Sequence, residues 1–276
     1  MSQTVPETWI SGCYPFNSHT TQTIQAYIVS SQQIRCLLIC PALFIGSGCT
    51  VSKAIPVENV LAEESRLTQD SANDFYPAWN VQGNKIGFVS DRTGFWNIEV
   101  MNSDGSDQQP LTHDRGQATS PSWSPDGSMI AYATDRNSGM RFWTDLWVMR
   151  NDGSFQESVS QTTTLKDLLP SWSPDGRYIA FLTLDMNAPP VWRMMLMEVN
   201  SRQAHEITRN KILFSRLAWS PDGKEIAFIS DRTGRPELWI MDREGKQAAP
   251  ITHDGIEKEH PDWSPDGKWI VFASRF

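Results

Sequence analysis

Cysteine is scarce in this chain of 276 residues. The four present are Cys13, Cys36, Cys40 and Cys49, so nothing beyond residue 49 can form a disulfide, a zinc–thiolate site or a cysteine nucleophile. A body without cysteine fits a reducing compartment, or an exported protein that avoids unwanted pairing. Basic charge is short too: 24 Lys and Arg stand against 32 Asp and Glu, a formal net charge of −8. That argues against a nucleic-acid partner, whose phosphates need a basic surface. It argues equally against docking on an anionic membrane through a basic patch. No Gly-x-Ser-x-Gly elbow, no His-Glu-x-x-His and no phosphate-cradling glycine loop occurs. The signatures of serine hydrolases, zincins and nucleotide sites are therefore lacking. What the chain has instead is tryptophan, twelve of them. A residue usually so rare points to a repeated structural device.

The first 64 residues differ from the rest. Residues 36–45 read CLLICPALFI behind Arg35, and Gly46-Ser47-Gly48-Cys49 follow. A short apolar core behind a basic residue is the pattern of a secretory signal, and ten residues are too few to span a bilayer. The closing Gly-Ser-Gly-Cys resembles a bacterial lipoprotein signal, in which Cys49 would be lipidated and become the new N-terminus. The other reading of the same run is a buried strand or helix of the body. The organisation expected is a leader and linker over 1–64, with the signal at 35–49, and one domain over 65–276.

That domain is a repeat. Five segments align: YPAWNVQGNKIGFVSD from Tyr76, SPSWSPDGSMIAYATD from Ser120, LPSWSPDGRYIAFLTL from Leu169, RLAWSPDGKEIAFISD from Arg216 and HPDWSPDGKWIVFASR from His260. Their tryptophans, Trp79, Trp123, Trp172, Trp219 and Trp263, are spaced by 44, 49, 47 and 44 residues. In Ser-Pro-Asp-Gly the proline has its φ already set, Asp suits the next place, and Gly takes the positive φ that ends a hairpin turn. Beyond the turn the apolar residues alternate, as in Ile130 and Tyr132 or Ile226 and Phe228, which predicts a strand. A third strand is expected at Asn97, Asp145, Arg193 and Glu237. A second turn and a short fourth strand ending in Leu-Thr or Ile-Thr complete each unit.

Four antiparallel strands per unit, repeated about every 46 residues, predict the blades of an all-β propeller. One small sheet cannot bury its own faces, so blades stack around an axis, and the five tryptophans are expected to anchor blade against blade. There are four complete units. Ser65–Asp70 matches a closing strand, and the last unit stops after two strands. Joined, these ends form a composite fifth blade, with Ala54–Leu61 as a source for its third strand. The rival expectation is a ring truncated from a larger one.

The pattern WSPDGK-x-IAF-x-SDR-x-G, then LWVM-x-x-DG, then LT, resembles TolB-like propellers over about three quarters of the chain. The resemblance implies the propeller fold, without the N-terminal domain that TolB carries. It also implies a binding role in the bacterial envelope, since the TolB propeller binds a peptidoglycan-associated lipoprotein. The expectation is a periplasmic or otherwise extracytoplasmic protein without enzymatic activity, metal or cofactor. It would bind a protein or peptide, and touch a membrane only through a lipid on Cys49. The alternatives are a small propeller holding a sugar or metal in its axial channel, or a propeller part of a larger protein.

Candidate contact residues lie where the loops between units diverge while the strands do not: Phe75, Tyr76, His113, Phe214, Arg216 and His260. Phe, Tyr, Arg and His are suited to interfaces. His113 and His253 hold equivalent repeat positions, as do the Asp-Arg pairs at 91–92, 135–136 and 231–232, so repeat geometry explains them better than catalysis. The pairs are read as loop-fixing surface contacts worth under about 1 kcal/mol each.

Overall fold

A computed structural model describes the backbone of 24–30 and 55–56, and residues 66–113, 115–136, 143–160, 165–186, 190–209, 212–213 and 215–275. Two early strands, β1 (Ile24–Ser30) and β2 (Ile55–Pro56), precede the repeats. The first blade is β3 (Asp74–Trp79), β4 (Lys85–Ser90), β5 (Asn97–Asn102) and β6 (Gln109–Pro110). The second is β7 (Ala118–Trp123), β8 (Met129–Thr134), β9 (Asp145–Arg150) and β10 (Glu157–Ser158). The third is β11 (Leu165–Trp172), β12 (Tyr178–Asp185), β13 (Val191–Glu198) and β14 (Ala204–Arg209). The fourth is β15 (Ala218–Trp219), β16 (Glu225–Ser230), β17 (Glu237–Asp242) and β18 (Ala249–Pro250). β19 (Glu257–Trp263) and β20 (Trp269–Arg275) close the chain. Each blade is an antiparallel sheet with its strands in chain order, the Trp-bearing strand innermost.

The fifth sheet is composite, in the order β19-β20-β1-β2. β1 pairs along the whole of β20, from Ile24 opposite Arg275 to Ser30 opposite Trp269. The stretch expected to supply the third strand contributes Ile55–Pro56 instead as the fourth. Length explains the exchange: β20 offers seven residues of edge, which β1 matches and a two-residue strand does not. Two strands of this sheet thus come from the first 64 residues. The apolar run and Cys49 lie outside the described residues.

The turns follow from the sequence. In Ser124-Pro-Asp-Gly, Ser124 Oγ donates to Asp126 at 2.5 Å and accepts from the Met129 amide at 2.9 Å, while Gly127 has φ 72°. The same bonds recur at Ser173, Ser220 and Ser264. The closing Leu-Thr has a purpose as well. Thr112 Oγ1 accepts from the Ile98 amide at 2.9 Å and donates to Asn97 at 2.8 Å, both out of water, so these two donors are satisfied.

The core is divided among the blade boundaries. Val89, Ile98, Trp123 and Tyr132 fill the first, and Ala227, Leu238, Trp263 and Phe272 fill the last. Between them a larger cluster runs from Leu146 through Phe181 to Trp219 and Phe228. Trp123 Nε1 donates to Ala78 O at 3.0 Å and Trp219 Nε1 to Ser171 O at 3.1 Å, each reaching the preceding blade. Four of the five repeat tryptophans are buried or half-buried anchors, as expected. Trp79 is not, with 56% of its surface exposed.

The Asp-Arg pairs divide their work. Asp91 does fix a loop, accepting from the Asn73 amide at 2.9 Å, and Asp135 takes the Gln117 amide at 2.6 Å. Arg92 makes its contacts with groups other than Asp91, which corrects the reading of that pair as a surface contact. Arg92 lies over the Phe88 ring at 5.4 Å, contacts buried Glu99 at 3.2 Å and holds Gln108 at 2.5 Å. Gln108 then donates to Leu67 O at 3.2 Å. Arg136, Gln156 and Leu111 O repeat the chain of contacts one blade on. The arginine is drawn inward because its flat cation can stack on an aromatic face while its donors reach across the boundary. The equivalence also puts Leu67-Thr68 where a closing Leu-Thr belongs.

A candidate functional site around the axis

The inner strands β3, β7, β11, β15 and β19 contact one another in sequence around the axis. Four of them are broken at the same point. Tyr76, Ser120, Leu169 and His260 have φ of 52°, 57°, 52° and 52°, and the register shifts at each. Each precedes a proline, which has no N–H for the ladder and forces its neighbour out of the right-handed region. A left-handed residue of this kind costs on the order of 1–3 kcal/mol. Its fourfold recurrence marks a device of the scaffold. In the fourth blade Arg216-Leu217 replaces the X-Pro pair, and the inner strand shrinks to Ala218–Trp219.

The four bulges and the equivalent Arg216 put five different side chains at matching positions, and three of these are packing residues. Ser120 and Leu169 are buried. Tyr76 is half-buried and packs on the two largest core clusters. Phe75 also lies in β3 rather than in an exposed loop. Its ring meets Tyr76 edge-on at 5.5 Å and Trp96 at 5.0 Å, because the bulge turns it toward the first blade boundary. His113 is exposed just past β6, and Phe214 lies outside the described residues.

The polar side chains gather where the fourth, fifth and first blades face the axis. Arg216 Nη1 donates to Pro77 O at 3.2 Å, bridging the fourth blade to the first. Its Nη2 is shielded from water and has no partner among the described atoms. Burial lowers the guanidinium pKa, and Asp262 and Tyr76 oppose this. Asp262 is pushed up by the crowding of protein around it, with its own amide neighbour at Trp263 and the Arg216 charge pulling the other way. His260, two residues before Asp262, is exposed, and its amide is held by Ser215 Oγ at 3.1 Å. A guanidinium with an open donor, an imidazole and a carboxylate can together recognise the mixed polar groups of a peptide.

Sequence reasoning singled out Arg216 and His260 but passed over Asp262. A signal was there. The residue before each repeat tryptophan is Ala78, Ser122, Ser171, Ala218 or Asp262, so one charge stands among small neutral residues. Lys258 was passed over too. Its ammonium is fully buried between Glu237, at 3.2 Å, and Asp254. Among the described residues no group of three or more His, Cys, Asp or Glu could hold a metal ion. No described helix is long and apolar enough to cross a membrane.

A family model described as the TolB beta propeller domain matches residues 57–183 and 141–275. The chain belongs to the TolB beta propeller family. Among solved structures, TolB from Acinetobacter baumannii is 24% identical with a TM-score of 0.57, over 67% of this chain and 45% of that one. The chain thus spans less than half the length of that relative. The putative TolB from Agrobacterium tumefaciens gives a TM-score of 0.63 at 15% identity, over 93% and 99% of the two chains. An oligogalacturonate lyase in complex with manganese gives 0.54 at 10%, over 76% and 67%. At such identities these likenesses show the fold. No curated protein matches the chain.

Proposed function

We propose that this TolB-type propeller is a non-enzymatic scaffold outside the cytoplasm, which binds a protein or peptide through Arg216, His260 and Asp262. The observation that carries the reading is the Nη2 donor of Arg216, which is open among the described atoms, on a guanidinium bonded to Pro77 O. A buried donor without a partner is costly, so a carbonyl or carboxylate brought by a partner is strongly favoured there. The surrounding scaffold positions repeat from blade to blade while these side chains do not.

The reading on location is supported by family membership and by the apolar run at 36–45. An anchor on Cys49 is supported by Gly46–Cys49 alone. A lipidated chain would begin at Cys49 and so would lack β1. The full chain, and its Arg216→Ala and His260→Ala variants, can be used as crosslinked bait in envelope extracts. A partner held by the parent should fall about tenfold with either variant, the loss of roughly one contact of 1.4 kcal/mol. Equal recovery by all three baits would overturn the assignment.

A further inference from the structure

Four of the five repeats seat the tryptophan beside one position of the preceding blade, the residue between the two large apolar residues of the second strand. In the first four blades that position is Gly87, Ala131, Ala180 and Ala227. Trp123 lies so close to Gly87 that an added Cβ would stand 3.2 Å from its indole nitrogen. Ala180 shares a buried cluster with Trp219, and Ala227 shares one with Trp263. By the same register, the position that faces Trp79 is in the fifth blade, and there the residue is Val271.

Among the described residues, this one boundary is not packed. Trp79 is 56% exposed and Val271 is 39% exposed, while Gly87 and the three alanines are buried. The turns give an independent sign. A Cβ on Gly127, Gly176, Gly223 or Gly267 would meet Gln82, Pro125, Pro174 or Pro221 of the preceding blade. At Gly83, which would face the turn of the fifth blade, there is nothing within 4 Å among the described residues.

We infer that Val271 is a wedge that holds the ring unlatched between its fifth and first blades. The two methyls of valine occupy the space into which each of the other four tryptophans settles. With alanine there, the Trp79 indole could lie down on β20 as Trp123 lies on β4, burying both side chains. The seam is then a gate in the ring, and residue 271 sets its balance between open and shut.

The wedge reverses the usual sign of a core truncation. Val271→Ala should raise Tm by about 2–4 °C, the shift that one latched aromatic contact of about 1 kcal/mol gives in a domain of this size. The gain should vanish in the Trp79→Ala background, because the latch needs the indole. Ala131→Val, Ala180→Val and Ala227→Val should each lower Tm by crowding a seated tryptophan. A lower or unchanged Tm for Val271→Ala overturns the inference. So does a gain that persists without Trp79, since it would then have another cause. Melting with circular dichroism at matched far-UV signal separates these effects from loss of the fold.

Discussion

The indole nitrogen of Trp123 lies 3.0 Å from the carbonyl oxygen of Ala78 and donates to it, from the second blade to the inner strand of the first. One side chain thereby fills the boundary and satisfies a strand-end acceptor. Trp123→Ala should cost about 3–5 kcal/mol in unfolding free energy, and Trp123→Phe appreciably less, since most of the ring is kept. Trp79→Ala should cost far less than Trp123→Ala, because Trp79 is largely exposed. Urea titrations of the three variants check the order. Similar costs for Trp79 and Trp123 would sink the account of the seam.

The buried ion pair of Lys258 and Glu237 ties the fifth blade to the fourth. Lys258→Met leaves the Glu237 carboxylate out of water without its cation. The expected loss is about 3–5 kcal/mol. Lys258→Met with Glu237→Gln should recover part of it. A double variant no better than the single one would show that the two side chains are not coupled.

Asp167 gives the protein an acid-side gain in stability. Its carboxyl is buried, and burial raises its pKa to about 6 against the hydrogen bonds from Thr183 and Ser160. The folded state thus holds this proton more tightly than the unfolded chain, whose carboxyl titrates near the ordinary 3.8. The contribution is greatest below about pH 4 and is lost as pH rises through about 6, a span of about 3 kcal/mol. Asp167→Asn should flatten that part of the stability profile. Asp126 acts in the opposite sense, lowered to about 2 mainly by the Ser124 hydroxyl, so its turn weakens only in strong acid. Unfolding midpoints between pH 4.5 and 7.5, taken as parent minus variant, isolate the effect. A difference that does not change with pH rules out Asp167 as its source.

Pairing of β1 with β20 and lipidation at Cys49 cannot coexist in one mature chain, because processing before Cys49 removes Ile24–Ser30. Intact-mass analysis of protein from the native host shows which occurs. A chain that keeps β1 should show protected amides across β20 in hydrogen exchange. A mass beginning at a lipidated Cys49 should come with fast exchange along that edge.

Much of the architecture was legible because the repeat writes it five times over. Ser-Pro-Asp-Gly fixes a turn by local bonds, and alternation fixes the face of each strand. The Leu-Thr match put Leu67 at the contact that Leu111 makes one blade on, but the closing strand is Ile55–Pro56 and not Ser65–Asp70. The fifth blade was harder, since β1 carries no repeat motif and its pairing depends on the distant edge of β20. The arginines of the Asp-Arg pairs were misplaced because adjacent charges suggest a pair, whereas the depth of Phe88 and Trp147 decides where the cation lies. Around the axis, the prolines marked the bulges in advance. Whether a bulged side chain is then buried, like Leu169, or exposed, like His260, depends on which blades stand opposite, and no local pattern carries that.

The central claim is that partners meet this propeller at the axial corner formed by the fourth, fifth and first blades. Site-specific photocrosslinking tests it most directly. A photoreactive phenylalanine is placed at position 260 in one sample and at position 155 in another, where the exposed Phe155 lies in an outer turn. The account expects a crosslinked partner from position 260 and none from 155. An adduct from 155 alone, or equal adducts from both, would contradict it.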